Sequence, residues 1–345
     1  MSLKTRLMQR CFDLARLGSG AVSPNPAVGA LLVYDDKIIG EGYYQEDGGP
    51  HAEVSAVASV PAAQRHLIPK STIYVSLEPC NIHGRTPPCV DLILREKIPH
   101  VIVASTDLTP GVHGTGLDRL RAAGVKVEEG ICRAEGDQIA LPRNTFVSKG
   151  RPYVMLKYAQ TQSGHLAPLP RRSAWLTNAY SKRLVHRWRT QTDAILVGSG
   201  TVKTDNPALT SRLAPGPNPL RVVIDRNNSL AADSKIFTND AQTLIFGNKA
   251  AEHGHLSYLK HDFTVDNWLV TLLERLAERR IGHLTVEGGS WLLQQFVAQQ
   301  RWDEARVFTT PHRWEDGLPA PQLGVPASST HQLIEDQLTV HFRTR

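Results

Sequence analysis

Three short segments carry residues whose types and spacing could do chemistry: His51-Ala52-Glu53, Pro79-Cys80 and Cys89. One imidazole and two thiols are donors that Zn²⁺ favours, and three protein ligands leave the fourth tetrahedral position for water, as in a catalytic site. Zinc so held lowers the pKa of its water toward about 7, which makes hydroxide available at neutral pH. Glu53, two residues after the histidine, can reach that water without binding the metal. A carboxylate there takes the water's proton during attack on an amidine carbon, then returns protons to the ring nitrogen and the departing ammonia. The chemistry of this set is hydrolytic deamination.

These groups need elements that bring them to one point. Residues 51–60 have the Ala/Val/Glu spacing of a helix, 72–77 form a β-rich run leading to Cys80, and 90–96 read as a helix beginning beside Cys89. Helix starts aimed at a metal favour thiolate and hydroxide there. Residues 28–34 and 37–44, separated by Asp35-Asp36, read as a hairpin, and strands at 100–104 and 125–128 flank a helix at 116–123. A hairpin followed by helix–strand repeats predicts a mixed sheet covered by helices. Beyond Gly150-Arg151-Pro152 the pattern restarts, with strands at 153–158, 194–197, 220–225, 243–246, 284–287 and 305–309 and helices at 179–189, 267–279 and 291–299. The expectation is two α/β domains, 1–147 and 148–345, with the boundary between 145 and 151.

At 345 residues the chain is long enough for more than one core. No uninterrupted apolar run approaches the length of a membrane span. Gln9, Arg10 and Asp13 interrupt any signal-peptide stretch, and four cysteines do not make a disulfide framework, so the expected compartment is the cytoplasm. Cys11 and Cys132, without partners in a motif, read as small buried hydrophobes. A net charge of +6 and a pI near 9.2 allow an anionic partner. No basic run interleaves with aromatics, which points away from nucleic acid and toward a phosphate on a small substrate.

Zinc nucleobase deaminases pair H-x-E with P-C-x-x-C. Here eight residues separate the two cysteines. On the residues alone that gap leaves open a closed structural zinc with His83 as its fourth ligand, or a buried His and two unrelated Cys, and a zinc-stabilised binding protein without catalysis is a rival of a different class. A nucleic-acid-editing deaminase is a further reading, and it requires a basic face around the pocket.

The gap itself carries a resemblance. Cys80-Asn81-Ile82-His83-Gly84-Arg85-Thr86-Pro87-Pro88-Cys89 is similar to the insertion between the zinc cysteines of the bifunctional riboflavin-biosynthesis deaminase/reductase family. Ser23-Pro24-Asn25-Pro26-Ala27-Val28-Gly29, Gly40-Glu41-Gly42, His51-Ala52-Glu53-Val54, Leu77-Glu78-Pro79-Cys80 and Asp107-Leu108-Thr109-Pro110 follow in the family's order, and the resemblance continues through the second half. It implies a cytidine-deaminase-like first domain and a dihydrofolate-reductase-like second one. The first would deaminate 2,5-diamino-6-ribosylamino-4(3H)-pyrimidinone 5′-phosphate, and the second would reduce the ribosyl group to ribityl with NADPH.

Carried over by matching positions, His51, Cys80 and Cys89 hold zinc, Glu53 is the acid/base, and Asn25, His83, Arg85 and Thr86 contact substrate. In the second domain the resemblance puts NADPH at Ala159, Trp175, Thr201, Asp205, Leu209 and Gly289, within the turn 289–295. It puts substrate at Ser173, Arg189, Arg212 and Glu287. It also implies a homodimer built through the reductase domain. Gly198-Ser199-Gly200-Thr201 and Glu287-Gly288-Gly289-Ser290 each follow a strand, where glycine lets backbone N–H groups approach a phosphate. One stretch departs from the family: Thr161-Gln162-Ser163-Gly164 stands where members commonly carry Ser-Leu-Asp-Gly, and residues 168–172 are also unusual. The alternative expectation is therefore an active deaminase joined to a reductase domain that is inactive or altered in substrate.

Overall fold

Along the first strand Leu31 and Val33 face one way and Ala30 and Leu32 the other, all buried, so this strand needs cover on both sides. In the computed structural model, which describes residues 1–343, it is the second strand of a five-stranded sheet. The chain runs α1 (Leu3–Gly18), β1 (Gly29–Tyr34), β2 (Lys37–Tyr43), α2 (Ala52–Ala58), β3 (Thr72–Leu77), α3 (Cys89–Arg95), β4 (His100–Ser105), α4 (Thr115–Ala122), β5 (Lys126–Glu129) and α5 (Arg133–Lys149). The sheet order is β2-β1-β3-β4-β5, antiparallel at the β2-β1 and β1-β3 pairs and parallel beyond. Asp35 and Asp36, both at positive φ, make the tight hairpin turn.

Ala56 and Val57 of α2, Val90 and Ile93 of α3, and Leu117 and Leu120 of α4 pack on one face of this sheet. The other face is covered by Met8, Cys11 and Phe12 of α1 and by Ile139 of α5. The sequence pattern did not bring out α1 or α5. In α1 the buried Leu7, Met8, Cys11, Phe12, Leu14 and Ala15 do fall at helical spacing, whereas α5 holds Pro142 and buries Gly136, Ala140, Asn144 and Thr145, which leaves almost no apolar stripe. Helix α5 runs through position 147, and the two compact units divide after Arg151.

The second unit, Pro152–Arg345, contains β6 (Tyr153–Thr161), β7 (His165–Pro168), α6 (Ala179–Arg189), β8 (Ala194–Gly198), α7 (Ser199–Asp205), β9 (Leu220–Ile224), β10 (Thr243–Gly247), β11 (Ala251–His253), β12 (Leu256–Lys260), α8 (Trp268–Glu278), β13 (His283–Val286), α9 (Ser290–Ala298), β14 (Glu304–Thr310), β15 (Gly317–Pro319), β16 (Ser329–Leu333) and β17 (Asp336–Phe342). Ten strands form one sheet in the order β11-β12-β10-β9-β8-β13-β6-β14-β17-β16, parallel from β12 to β14 and antiparallel at both ends. Leu269, Leu272, Leu273 and Leu276 of α8 and Phe296 of α9 close one face. Each such side chain contributes about 1.5–3 kcal/mol over its exposed state. The architecture is the dihydrofolate-reductase-like α/β class expected of this half, after a deaminase-like first sheet.

Candidate active sites

His51 sits just ahead of α2 as its N-cap, with extended backbone and no side-chain capping bond, so its ring is free to turn away from the helix. It turns toward two sulfurs. Nδ1 lies 3.5 Å from Cys80 Sγ and 3.3 Å from Cys89 Sγ, and the three donor atoms fall within 4.8 Å of one another. A tetrahedral zinc with Zn–N of about 2.0–2.1 Å and Zn–S of about 2.3 Å has N···S edges of about 3.6 Å, so the donor set fits zinc. The backbone N–H of Cys89, first residue of α3, donates to Cys80 Sγ at 3.3 Å. The hydrogen bond between the two thiols, reinforced by His51, pulls the Cys80 pKa down to about 4 and leaves the shared proton on Cys89.

Glu53, in the first turn of α2, is buried against this cluster and interacts with Cys89. Burial, and next the Cys80 charge, pushes its carboxyl from 4.5 up to about 7. His83, the one candidate for a closing fourth ligand, is exposed and faces Asp91 Oδ2 at 3.8 Å. Among the described residues no further ligand joins the three.

The eight residues between the cysteines loop out and return. Gly84 N–H bonds to the Thr86 carbonyl, and Thr86 Oγ1 comes within 3.4 Å of His51 Nε2, on the side of the ring away from the sulfurs. Such a partner fixes the orientation of a ligand histidine. Arg85 Nη1 donates to Asp47 Oδ2 at 3.2 Å, and Asn25 Nδ2 donates to Asp47 Oδ1 at 2.6 Å and to Tyr44 Oη at 3.3 Å. Tyr44 stands edge-on to His51 at 5.2 Å. Asn25, Arg85 and Thr86 are therefore gathered around the cluster, and His83 is not.

Sequence reasoning missed Tyr44, Asp47 and the structural part played by Glu78. Asp47 reads as a turn residue before Gly48-Gly49, and Tyr44 as the end of a strand. Glu78, two residues before Cys80, is buried and accepts the N–H groups of Gly114 at 3.0 Å, Gly116 at 3.1 Å and Asp107 at 3.4 Å. It ties the Pro79–Cys80 turn to the start of α4. Gly116 must be glycine here, because a β-carbon would stand 2.4 Å from the Pro79 carbonyl oxygen.

In the second unit a cavity of about 570 Å³ is lined by all ten reductase residues named above: Ala159, Ser173, Trp175, Arg189, Thr201, Asp205, Leu209, Arg212, Glu287 and Gly289. They arrive from β6, the loop before α6, α6, α7 and its following loop, and the turn into α9. Arg189 donates through Nε and Nη2 to the Glu287 carboxylate at 3.0 and 2.8 Å and through Nη1 to the Thr210 carbonyl at 2.9 Å. Three of its five N–H groups are so used, which leaves two for a ligand. Burial opposes ionisation of Glu287, but Arg189 and Lys157 outweigh it and bring the pKa to about 2.

Lys157 Nζ lies 3.9 Å from Glu287 Oε2, with the Phe308 ring beside it. Sequence reasoning passed it over, although a lysine in the apolar strand Tyr153-Val154-Met155-Leu156-Lys157-Tyr158 was a visible signal. His186 of α6 also lines the cavity; burial, then Arg189 and Arg212, lowers its pKa to about 4 and keeps it neutral. Ser163, by contrast, does not line the cavity. Its hydroxyl accepts from Trp314 N–H at 3.1 Å and lies 3.0 Å from the Trp314 carbonyl, a clasp on the turn between β6 and β7.

Residues 1–105 match the cytidine and deoxycytidylate deaminase zinc-binding region, and residues 152–312 match the RibD C-terminal domain. The chain is 36% identical over 342 residues to the riboflavin biosynthesis protein RibD of Aquifex aeolicus, covering 96% of this chain and 92% of that relative. To the protein of the same description from Escherichia coli it is 33% identical over 323 residues, covering 88% and 86%. Among solved structures, the diaminohydroxyphosphoribosylaminopyrimidine deaminase/5-amino-6-(5-phosphoribosylamino)uracil reductase of Thermotoga maritima superposes with a TM-score of 0.89 at 34% identity over 98% of both chains. The match runs through both units, including the stretch around Ser163, and so does not favour a redirected second domain. The chain belongs to the RibD family, the bifunctional deaminase/reductases of riboflavin biosynthesis that use zinc and NADPH.

Proposed function

We propose that unit 1 hydrolyses the amino group of 2,5-diamino-6-ribosylamino-4(3H)-pyrimidinone 5′-phosphate and that unit 2 reduces the ribosyl group of the product to ribityl. The observation that carries the reading is the three-donor cluster with a buried carboxyl beside it. His51, Cys80 and Cys89 hold the zinc, which when bound supplies an acidified water. Glu53 takes the proton of the attacking water and returns protons to the ring nitrogen and the leaving amine. Asn25 presents an amide that can pair with the pyrimidine, held in place by Asp47 and Tyr44. Arg85 and Thr86 bind the polar rim of the substrate, whereas His83, exposed on the same loop and turned to Asp91, is left out of the contact set.

In unit 2, bound NADPH supplies the hydride and the protein orients it. Ala159, Trp175, Thr201, Asp205, Leu209 and Gly289 form the cofactor side of the cavity. Ser173, Arg189, Arg212 and Glu287 form the substrate side, where guanidinium suits a phosphate. Lys157, which lines the cavity beside Glu287, holds a proton donor near the sugar. The protein acts in the cytoplasm as a homodimer. No helix among the described residues is long and apolar enough to cross a membrane, in keeping with that location.

One assay tests both halves. Purified protein is given the diaminopyrimidine ribosyl phosphate and NADPH, and ammonia release, NADPH oxidation and zinc content are followed on the same sample. Both signals with about one zinc per chain are expected for the paired catalytic site. Zinc without either signal would overturn the assignment, and ammonia without oxidation would restrict it to unit 1.

A further inference from the structure

The loop before α6 carries two adjacent arginines, Arg171 and Arg172, inside the stretch whose sequence is unusual for the family. Both line the cavity of unit 2. The Arg171 guanidinium lies across both glycine turns of that cavity. Its Nη1 is 3.2 Å from the point where a β-carbon on Gly200 would sit, and its Nη2 is 3.4 Å from the equivalent point on Gly289. Thr201 Oγ1 stands 3.3 Å from that same Gly289 point, so a cation, a hydroxyl and two side-chain-free stretches of backbone converge.

The charge of Arg171 is uncommitted. Among the described residues no carboxylate pairs with it, whereas the charge of Arg189 is paired with Glu287 and Arg221 is bonded to the carbonyls of Ala208, Ile236 and Thr238. The lining of the cavity holds seven lysines and arginines against two carboxylates, Asp205 and Glu287, and Glu287 is already neutralised. Such an excess of fixed positive charge in a concave, partly desolvated site raises the local affinity for polyanions. A planar guanidinium facing backbone stripped of side chains offers two parallel donors to the oxygens of a single phosphate.

We propose that Arg171, seated on the turns at Gly200 and Gly289, binds a phosphate of the nicotinamide cofactor at their edge. The inference rests on reading unit 2 as an NADPH-dependent reductase. It assigns the unusual loop a gain: a cation that adds to the backbone N–H groups from beside them.

Equilibrium binding of NADPH to the full zinc-loaded protein, without substrate, tests it, with tryptophan quenching as the readout at low and high salt. Arg171→Ala is expected to raise Kd by about tenfold, as loss of a charge-assisted bidentate contact does, and to flatten the salt dependence. Arg171→Lys should recover part of the affinity, because it keeps the charge and loses the fork. NADH run in parallel identifies the phosphate. An equal loss for both cofactors points to the pyrophosphate, and a loss for NADPH alone points to the 2′-phosphate.

Unchanged Kd and salt dependence in a variant of unchanged melting temperature would overturn the proposal. So would weaker binding of ribose 5-phosphate with NADPH affinity intact, which would move Arg171 to the substrate side. Wild-type protein that fails to bind NADPH at all would instead remove the reductase reading on which the inference stands.

Discussion

The zinc cluster and the reductase cavity handle buried charge in opposite ways. In the first unit the ligands come from short pieces between His51 and Cys89, and the nearest acid, Glu53, sits buried with no basic residue bonded to it. In the second, Lys157, Arg189 and Glu287 come from β6, α6 and the end of β13 and neutralise one another inside the unit. The first arrangement leaves its acid free to exchange a proton, at a cost in solvation that the fold bears without a basic partner bonded to it. The second makes the site part of what holds the unit together. Substitutions in the first should separate activity from stability, and substitutions in the second should damage both.

Glu53→Gln is the largest test of that difference. It removes the proton carrier while keeping shape, so ammonia release should fall by about 10²–10⁴-fold. Zinc content and melting temperature should hold, and NADPH oxidation on supplied deaminated product should be unchanged. A loss of zinc or a lower melting temperature would show that the carboxyl is structural, and the contrast between the sites would fail.

Glu287→Gln should do what Glu53→Gln does not. Breaking a buried pair leaves Arg189 and Lys157 uncompensated, which costs about 3–5 kcal/mol. All six tryptophans lie between Trp175 and Trp314, so their fluorescence reports unfolding of unit 2 alone. The folded carboxyl, at about 2, lies below its ordinary value of 4.5. It therefore contributes stability above pH 4.5, on the order of 3 kcal/mol, that is lost as the pH falls toward 2. Unit 2 of the wild type should lose stability across that window, and the variant, already destabilised at neutral pH, should show a shallower decline. Parallel acid titrations would expose the opposite.

Glu78→Gln sharpens the comparison within the first unit. The carboxylate accepts backbone N–H groups with both oxygens, and an amide would turn one acceptor into a donor facing a donor. The Pro79–Cys80 turn should shift and zinc affinity should fall by about 10-fold, read by competition with a chelator. Unchanged affinity would mean that Cys80 is positioned by its own strand alone.

How far each site could be read in the sequence follows from the same contrast. The zinc ligands are legible because their spacing is local and their residue types are specific, and the hairpin and most strands are legible because their apolar alternation is strong. Asp47, Tyr44 and Glu78 are not, since each acts through a tertiary hydrogen bond that leaves no periodic trace. The reductase residues are scattered over more than a hundred positions and converge only through the order β8-β13-β6, which no single segment announces. They were found through the family resemblance. Helix α5 stayed hidden because Pro142 and its small buried residues hide the stripe by which a helix is recognised.

Ser163 offers the smallest effect and the finest discrimination. A serine in place of an acid suggests a compromised reductase, but the side chain works on the turn between β6 and β7, where its hydroxyl meets Trp314 N–H and carbonyl, Thr161 Oγ1 at 2.9 Å and His165 Nδ1 at 3.2 Å. Such a partly exposed set contributes about 1 kcal/mol, so Ser163→Ala should lower the stability of unit 2 slightly and leave NADPH oxidation and its KM unchanged. Because Trp314 is one partner, its environment should change first, visible as a small shift in fluorescence before unfolding. A fall in oxidation rate without any loss of stability would return Ser163 to the chemistry and make the turn between β6 and β7 part of the reductase site.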